Sequence, residues 1–173
     1  MRRSSRSLRT AFFMLLTSAL GAYGCSNGSA EPTSEAPQVF DFLTVASAES
    51  TTIELVRHGD SCAVRKVGDD SAQKLDTPFP CGFVRSAQNK PAQSYAYENI
   101  GNVFVVAGVP AKSDEYPEDG NVDASHACAA RGQVLFVKNG AIIPGKSMTR
   151  PLGFCHFLGF DEKDYYGFSH PIE

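Results

Sequence analysis

From residue 38 onward the chain is a succession of short apolar or alternating runs, each cut off by turn-forming residues. This rhythm constrains the fold more than any other feature. Residues 39–45 make a first run, and residues 51–56 alternate Thr, Ile, Glu, Leu and Val. His58, Gly59 and Asp60 turn the chain, and residues 62–67 return it. Gly68, Asp69 and Asp70 turn it again, into residues 73–76, and Pro78 and Pro80 end that strand or confine it to an edge. Residues 83–85 and 94–97 are short strands around a polar loop at 86–92. Residues 102–109 are strongly apolar and read as a central strand, and residues 133–138 form another. Asn139-Gly140 is a hairpin dipeptide that should pair residues 141–143 back onto it. Helical periodicity is nearly absent. The best helix is a short one over 161–165, with acids at its start where the helix dipole favours them. With 42% hydrophobic residues a packed core is affordable. The expectation is an all-β chain: a single antiparallel β-sandwich or small β-barrel of about eight strands over residues 38–173, with two disulfides.

The residues before it are of another kind. Arg2, Arg3, Arg6 and Arg9 form a basic start, residues 11–20 are mostly apolar, and Ala22 and Gly24 are small residues just before Cys25. That is the composition of an export signal, so residues 1–24 stand outside the fold. The segment resembles the signal of bacterial lipoproteins, although Ala22 stands where that family usually has leucine. The resemblance implies that Cys25 is lipidated and becomes the mature N-terminus, and several acyl chains anchor far more firmly than one. Ser26, standing where an inner-membrane retention signal would place Asp, favours the outer membrane. Residues 25–37 then read as the lipidated cysteine and a flexible tether, with almost nothing apolar.

Export gives the cysteines a meaning. With Cys25 assigned to the lipid, Cys62, Cys81, Cys128 and Cys155 remain, an even number that reads as two disulfides in an oxidising compartment. Three pairings are possible. Sequential pairing is favoured because neighbouring hairpins of a meander lie close together. It closes loops of about 20 and 28 residues, each stabilising by roughly 3 kcal/mol on the loop-entropy model. The competing use is zinc, with His126, Cys128, Cys155 and His156 as ligands. The spacing is unlike the usual zinc patterns, and adjacent Cys155 and His156 would point to opposite faces of a strand. No metal and no cofactor is expected.

The leader holds four of the 16 basic residues and none of the 19 acidic ones, so the remainder carries −7. That argues against a nucleic-acid binder and suits a basic partner. Residues 140–147 match the spacing of a phosphate-binding loop, Gly-x4-Gly-Lys-Ser. Ile142 and Ile143 are β-branched where unusual dihedrals are needed, Pro144 removes an amide donor, and Pro151 breaks a following helix, so no nucleotide site is read there. Asp119, Asn121 and Asp123 have the first offsets of a calcium loop. Ala124 and Ala130 replace its glycine and its bidentate glutamate, leaving a solvated acidic loop.

What is left is a surface. The acidic loop at 110–127 supplies Asp114, Glu115, Glu118 and Asp119. A basic, Gly/Pro-rich stretch beside Cys155 supplies Lys146 and Arg150, and pinning such a loop by a disulfide reduces the entropy lost on binding. The C-terminal stretch supplies Asp161, Glu162, Asp164, Tyr165, Tyr166 and His170, either as aromatics capping the core or as a contact face. No catalytic constellation emerges, and Ser169 beside His170 is not a nucleophile–base pair by adjacency alone. The favoured reading is an envelope-anchored lipoprotein that binds a protein, as an inhibitor or immunity protein against a hydrolase. Its architecture is similar to that of small lipoprotein lysozyme inhibitors, without any shared motif. A structural accessory of the outer membrane and a small hydrolase are the alternatives.

Overall fold

The structure, a computed structural model, describes residues 40–111 and 127–170. Among these residues, nine strands and one helix form two antiparallel sheets that do not close into a barrel. The first sheet is a meander of β1 (Val45–Ala48), β2 (Thr51–His58), β3 (Ser61–Lys66) and β4 (Gln73–Pro78) in chain order. The second contains β5 (Gly82–Phe83), β6 (Ser94–Tyr97), β7 (Gly101–Ala107), β8 (Cys128–Lys138) and β9 (Ala141–Cys155). Its order is β5-β7-β8-β9, with β6 also on β7. The chain ends in α1 (Glu162–Ser169). The sandwich expectation therefore holds, and the barrel alternative does not.

Period-two alternation decides which residue faces which layer. In β2, Ile53 and Leu55 point inward, and in β4 Leu75 and Thr77 do. Ile53, Leu55 and Leu75 meet Phe104 and Val106 of β7 and Leu135 and Val137 of β8 in the core between the sheets, and the Thr77 hydroxyl donates to Gln133 Oε1. The intervening residues of β7, Val103, Val105 and Ala107, are equally buried on the opposite face. There they pack with Val134, Phe154, Phe160, Phe168 and Tyr165, so α1 and the segment before it form a third layer. A strand covered on both faces must be apolar at every position, which is why β7 reads as a continuous apolar run.

Polar bonds cross the layers at defined points. Gln133, buried in β8, accepts from the Asp76 N–H at 2.8 Å and donates to the Gly145 carbonyl at 2.9 Å, tying β4, β8 and β9 together. Within the second sheet, Gly132 of β8 leaves room for the Phe154 ring of β9, since a Cβ there would lie 2.5 Å from it.

Cys62 bonds to Cys81 and Cys128 to Cys155, the sequential pairing. The first links β3 to the residue before β5, and so one sheet to the other. The second joins directly opposed residues of β8 and β9. With all four sulfurs in disulfides, Cys128 and Cys155 are not zinc thiolates, and among the described residues no group of three potential ligands is assembled.

Three local expectations need correction. The first run does not make a strand over 39–45. β1 begins only at Val45, and the preceding residues hold the sheets by single bonds, Leu43 O accepting from Phe83 N and Thr44 O from Leu55 N. The helix is longer than 161–165. Asp161 is its N-cap, accepting from the Asp164 N–H at 2.8 Å, and the helix runs on to Ser169. The stretch 146–154 is not a free loop, because it lies within the 15 residues of β9.

Candidate functional site

The ladder between β8 and β9 slips twice. Gln133 faces Ser147 and Leu135 faces Pro144, which accommodates one extra residue. Arg131 faces Thr149 but Ala129 faces Phe154, so residues 150–153 bulge out opposite Ala130 alone. Pro151 has no N–H to give to a ladder, and Gly153 adopts a positive φ of 67°. The Cys128–Cys155 bond closes the strand again immediately after the bulge.

A cleft of about 420 Å³ opens between this bulge and the start of α1. Arg150, Leu152, Gly153 and Cys155 form one wall, Leu158 to Asp161 and Asp164 another, and Ser86 and Gln93 the floor. Gln93 fixes the second wall through both ends of its amide. Its Nε2 donates to the Phe160 carbonyl at 2.6 Å, and its Oε1 accepts from the Phe160 N–H at 2.9 Å. Gly159 has a φ of 71°, and a Cβ there would meet Gln93 Oε1 at 2.7 Å, so only glycine allows this clamp. Tyr165 completes the support from beneath, fully buried and donating its hydroxyl to the Gln93 carbonyl at 3.1 Å. Burial holds its phenol well above the usual tyrosine range.

Charge and apolar surface alternate around the opening. Arg150 donates to Asp164 Oδ1 at 2.8 Å. Its guanidinium carbon lies 4.9 Å from the centre of the Phe160 ring and 5.3 Å from that of Phe168, in cation–π range of both. Both partners of the ion pair are about one-third exposed, so the pair adds little to stability, under ~1 kcal/mol, and serves more to orient. Leu152 and Leu158, by contrast, are 60% and 56% exposed.

The fold thus brings together four of the residues singled out in the sequence, Arg150, Cys155, Asp161 and Asp164, and separates others from them. Lys146 is exposed on β9 and does not line the cleft. Glu162 is exposed on α1, and its carbonyl accepts from the Tyr97 hydroxyl at 3.2 Å. Tyr165 belongs to the core, so of the two uses the sequence offers it caps the core and is not part of a contact face: its position on α1 points back onto β7. Tyr166 is 55% exposed and stacks on His170, ring centres 4.0 Å apart. Cys25, Asp114, Glu115, Glu118, Asp119 and His126 lie outside the described residues.

Ser169 Oγ does lie 2.9 Å from His170 Nδ1. Both groups converge on the Tyr166 carbonyl, at 3.0 and 3.1 Å, as does the His170 N–H at 2.9 Å. The backbone bond is the last helical bond of α1, with His170 as its C-cap, and the two side chains fold back onto the same carbonyl, so the pair belongs to the helix end. Gln93, Leu158, Gly159 and Phe160 were not foreseen, because their part in the cleft arises from packing between distant segments.

Disulfide-braced β-sandwich with a charged, leucine-rimmed cleft is the class that fold and site define. Compared with known protein families, curated proteins and solved structures, the chain matches none of them.

Proposed function

We propose that this chain is an envelope-anchored lipoprotein whose β domain is a protein-binding module, an inhibitor of or immunity protein against a hydrolase. The anchoring part rests on the leader and Cys25. The binding part rests on one observation: Leu152 and Leu158 stand exposed on either side of a cleft whose walls are held by a disulfide, a bulge and the Gln93 clamp. Apolar side chains displayed on rigid walls beside oriented charges lose little entropy when a partner covers them, the condition for tight recognition on a small area.

The experiment uses the full chain expressed with its leader. Cys25→Ser should move the protein from the membrane to the soluble fraction and abolish incorporation of labelled fatty acid. The detergent-solubilised chain, exposed to envelope and secreted extracts, should retain a hydrolase in fixed ratio and lower its activity. Leu152→Asp with Leu158→Asp should release it. Retention of envelope assembly components in its place would move the assignment to an accessory role. Substrate turnover by the chain alone would establish the hydrolase alternative.

A further inference from the structure

The cleft has an excess of negative charge at one end and a greasy rim along it. Asp161 and Asp164 both line it, against Arg150 as the one cation among its described lining residues. Arg150 already neutralises Asp164, and Asp161 is exposed with no cation paired to it among the described residues. Leu152 and Leu158 flank the approach, and Gly159 lets the wall that carries Leu158 pack directly on Gln93 and Ser86.

Resting on the protein-binding reading above, we infer that the cleft receives one long basic side chain, lysine or arginine, from the partner. Such a side chain has an apolar stem ending in a cation, the same order of chemistry that the cleft offers from rim to head. The volume, about 420 Å³, is room enough for one long side chain. An acidic side chain would meet Asp161 and Asp164 with Arg150 already engaged. The net charge of −7 outside the leader steers a basic surface in the same sense. Arg150 can yield part of Asp164 to the incoming cation without leaving its place, because Phe160 and Phe168 hold its guanidinium independently.

The test is a titration of the full, detergent-solubilised chain, labelled at leucine methyl groups, with N-acetyl-arginine methylamide and N-acetyl-lysine methylamide. The controls are the matching glutamate and norleucine compounds. The Leu152 and Leu158 methyl resonances should move and saturate with the basic probes and stay in place with the controls. Asp161→Asn keeps a good N-cap while removing its charge. It and Asp164→Asn should each weaken the basic probes by about two- to fivefold, the range for a partly exposed ion pair. Arg150→Met keeps a stem on the two rings but frees Asp164, and should tighten them by a similar factor. Equal shifts with the glutamate or norleucine probe, or three variants that bind the basic probes like the parent chain, would overturn the inference. A partner released by the leucine substitutions but indifferent to Asp161→Asn and Asp164→Asn would also overturn it, while leaving the protein-binding reading intact. Basic-probe binding with no cleft-dependent partner would refute the protein-binding reading instead.

Discussion

His156 should make the domain sensitive to acid, in a sense opposite to that of a surface histidine with an acidic partner. It is 1% exposed, next to Cys155, with its Nε2 2.8 Å from the Gly108 carbonyl. That contact places the proton on Nε2 of a neutral ring and leaves buried Nδ1 without a partner among the described residues. Burial foremost, with Arg85 adding to it and the Gly108 carbonyl opposing, lowers the pKa to about 4. In the unfolded chain the ring titrates near 6.5, so below that pH the unfolded state takes up a proton that the folded state refuses. The stability contributed by the neutral ring is therefore complete above about pH 6.5 and is lost as pH falls toward 4. The whole shift corresponds to about 3 kcal/mol, of which about 2 kcal/mol is gone at pH 5. Against a typical 5–15 kcal/mol for a domain, that is a large share. Urea unfolding of the parent chain and of His156→Gln, which can still donate to Gly108 but does not titrate, should be compared at pH 7.5 and 5.0. The parent should lose about 2 kcal/mol more than the variant across that interval. Equal losses would refute the reasoning. So would a His156 ring found protonated at pH 5 by its nitrogen chemical shifts, a measurement that does not depend on the variant folding.

Two further substitutions test the packing that positions the cleft. Gly132→Ala drives a methyl group into the Phe154 ring, and should cost roughly 1–3 kcal/mol in urea unfolding, as overpacking does. Gln133→Leu leaves the Asp76 N–H and the Gly145 carbonyl without their partner, and should cost about 1–3 kcal/mol per group left buried, read as a lower unfolding midpoint.

The strands were legible wherever a two-residue period or a continuous apolar run was bounded by turn residues. β2, β3, β6 and β7 fall within one or two residues of where the pattern puts them, because burial on one face or both leaves a direct imprint on composition. The disulfide pairing was legible for a related reason, since a meander places successive cysteines together. β9 was not. Pro144, Gly145, Pro151 and Gly153 look like loop residues, and locally they are: each sits at or beside a slip in the register. Only β8, running alongside, makes the whole a strand. The run at 39–45 misleads in the other direction: residues 40–44 join no ladder, and Leu43 is apolar because it packs against the core between the sheets.

The same contrast explains why half of the cleft was visible in the sequence and half was not. Arg150, Asp161 and Asp164 declare themselves by charge, in places where a chain has to stop being regular. Gln93 and Gly159 declare nothing, because an amide in a polar loop and a glycine after a leucine have many uses. Their meaning comes from the short distance between segments 66 residues apart, so short that a Cβ on Gly159 would lie 2.7 Å from Gln93 Oε1, which a pattern of neighbours cannot encode. The cleft depends on that distance. A side chain at 159 would push Gln93 from the Phe160 backbone, Phe160 carries the Arg150 guanidinium, and Arg150 orients Asp164. Gly159→Ala should therefore disturb the charged end of the cleft without touching it, whereas the same substitution at Gly167, which has open space around it, should not. Leucine-methyl spectra that change equally for the two alanines would break this chain of dependence at its first link.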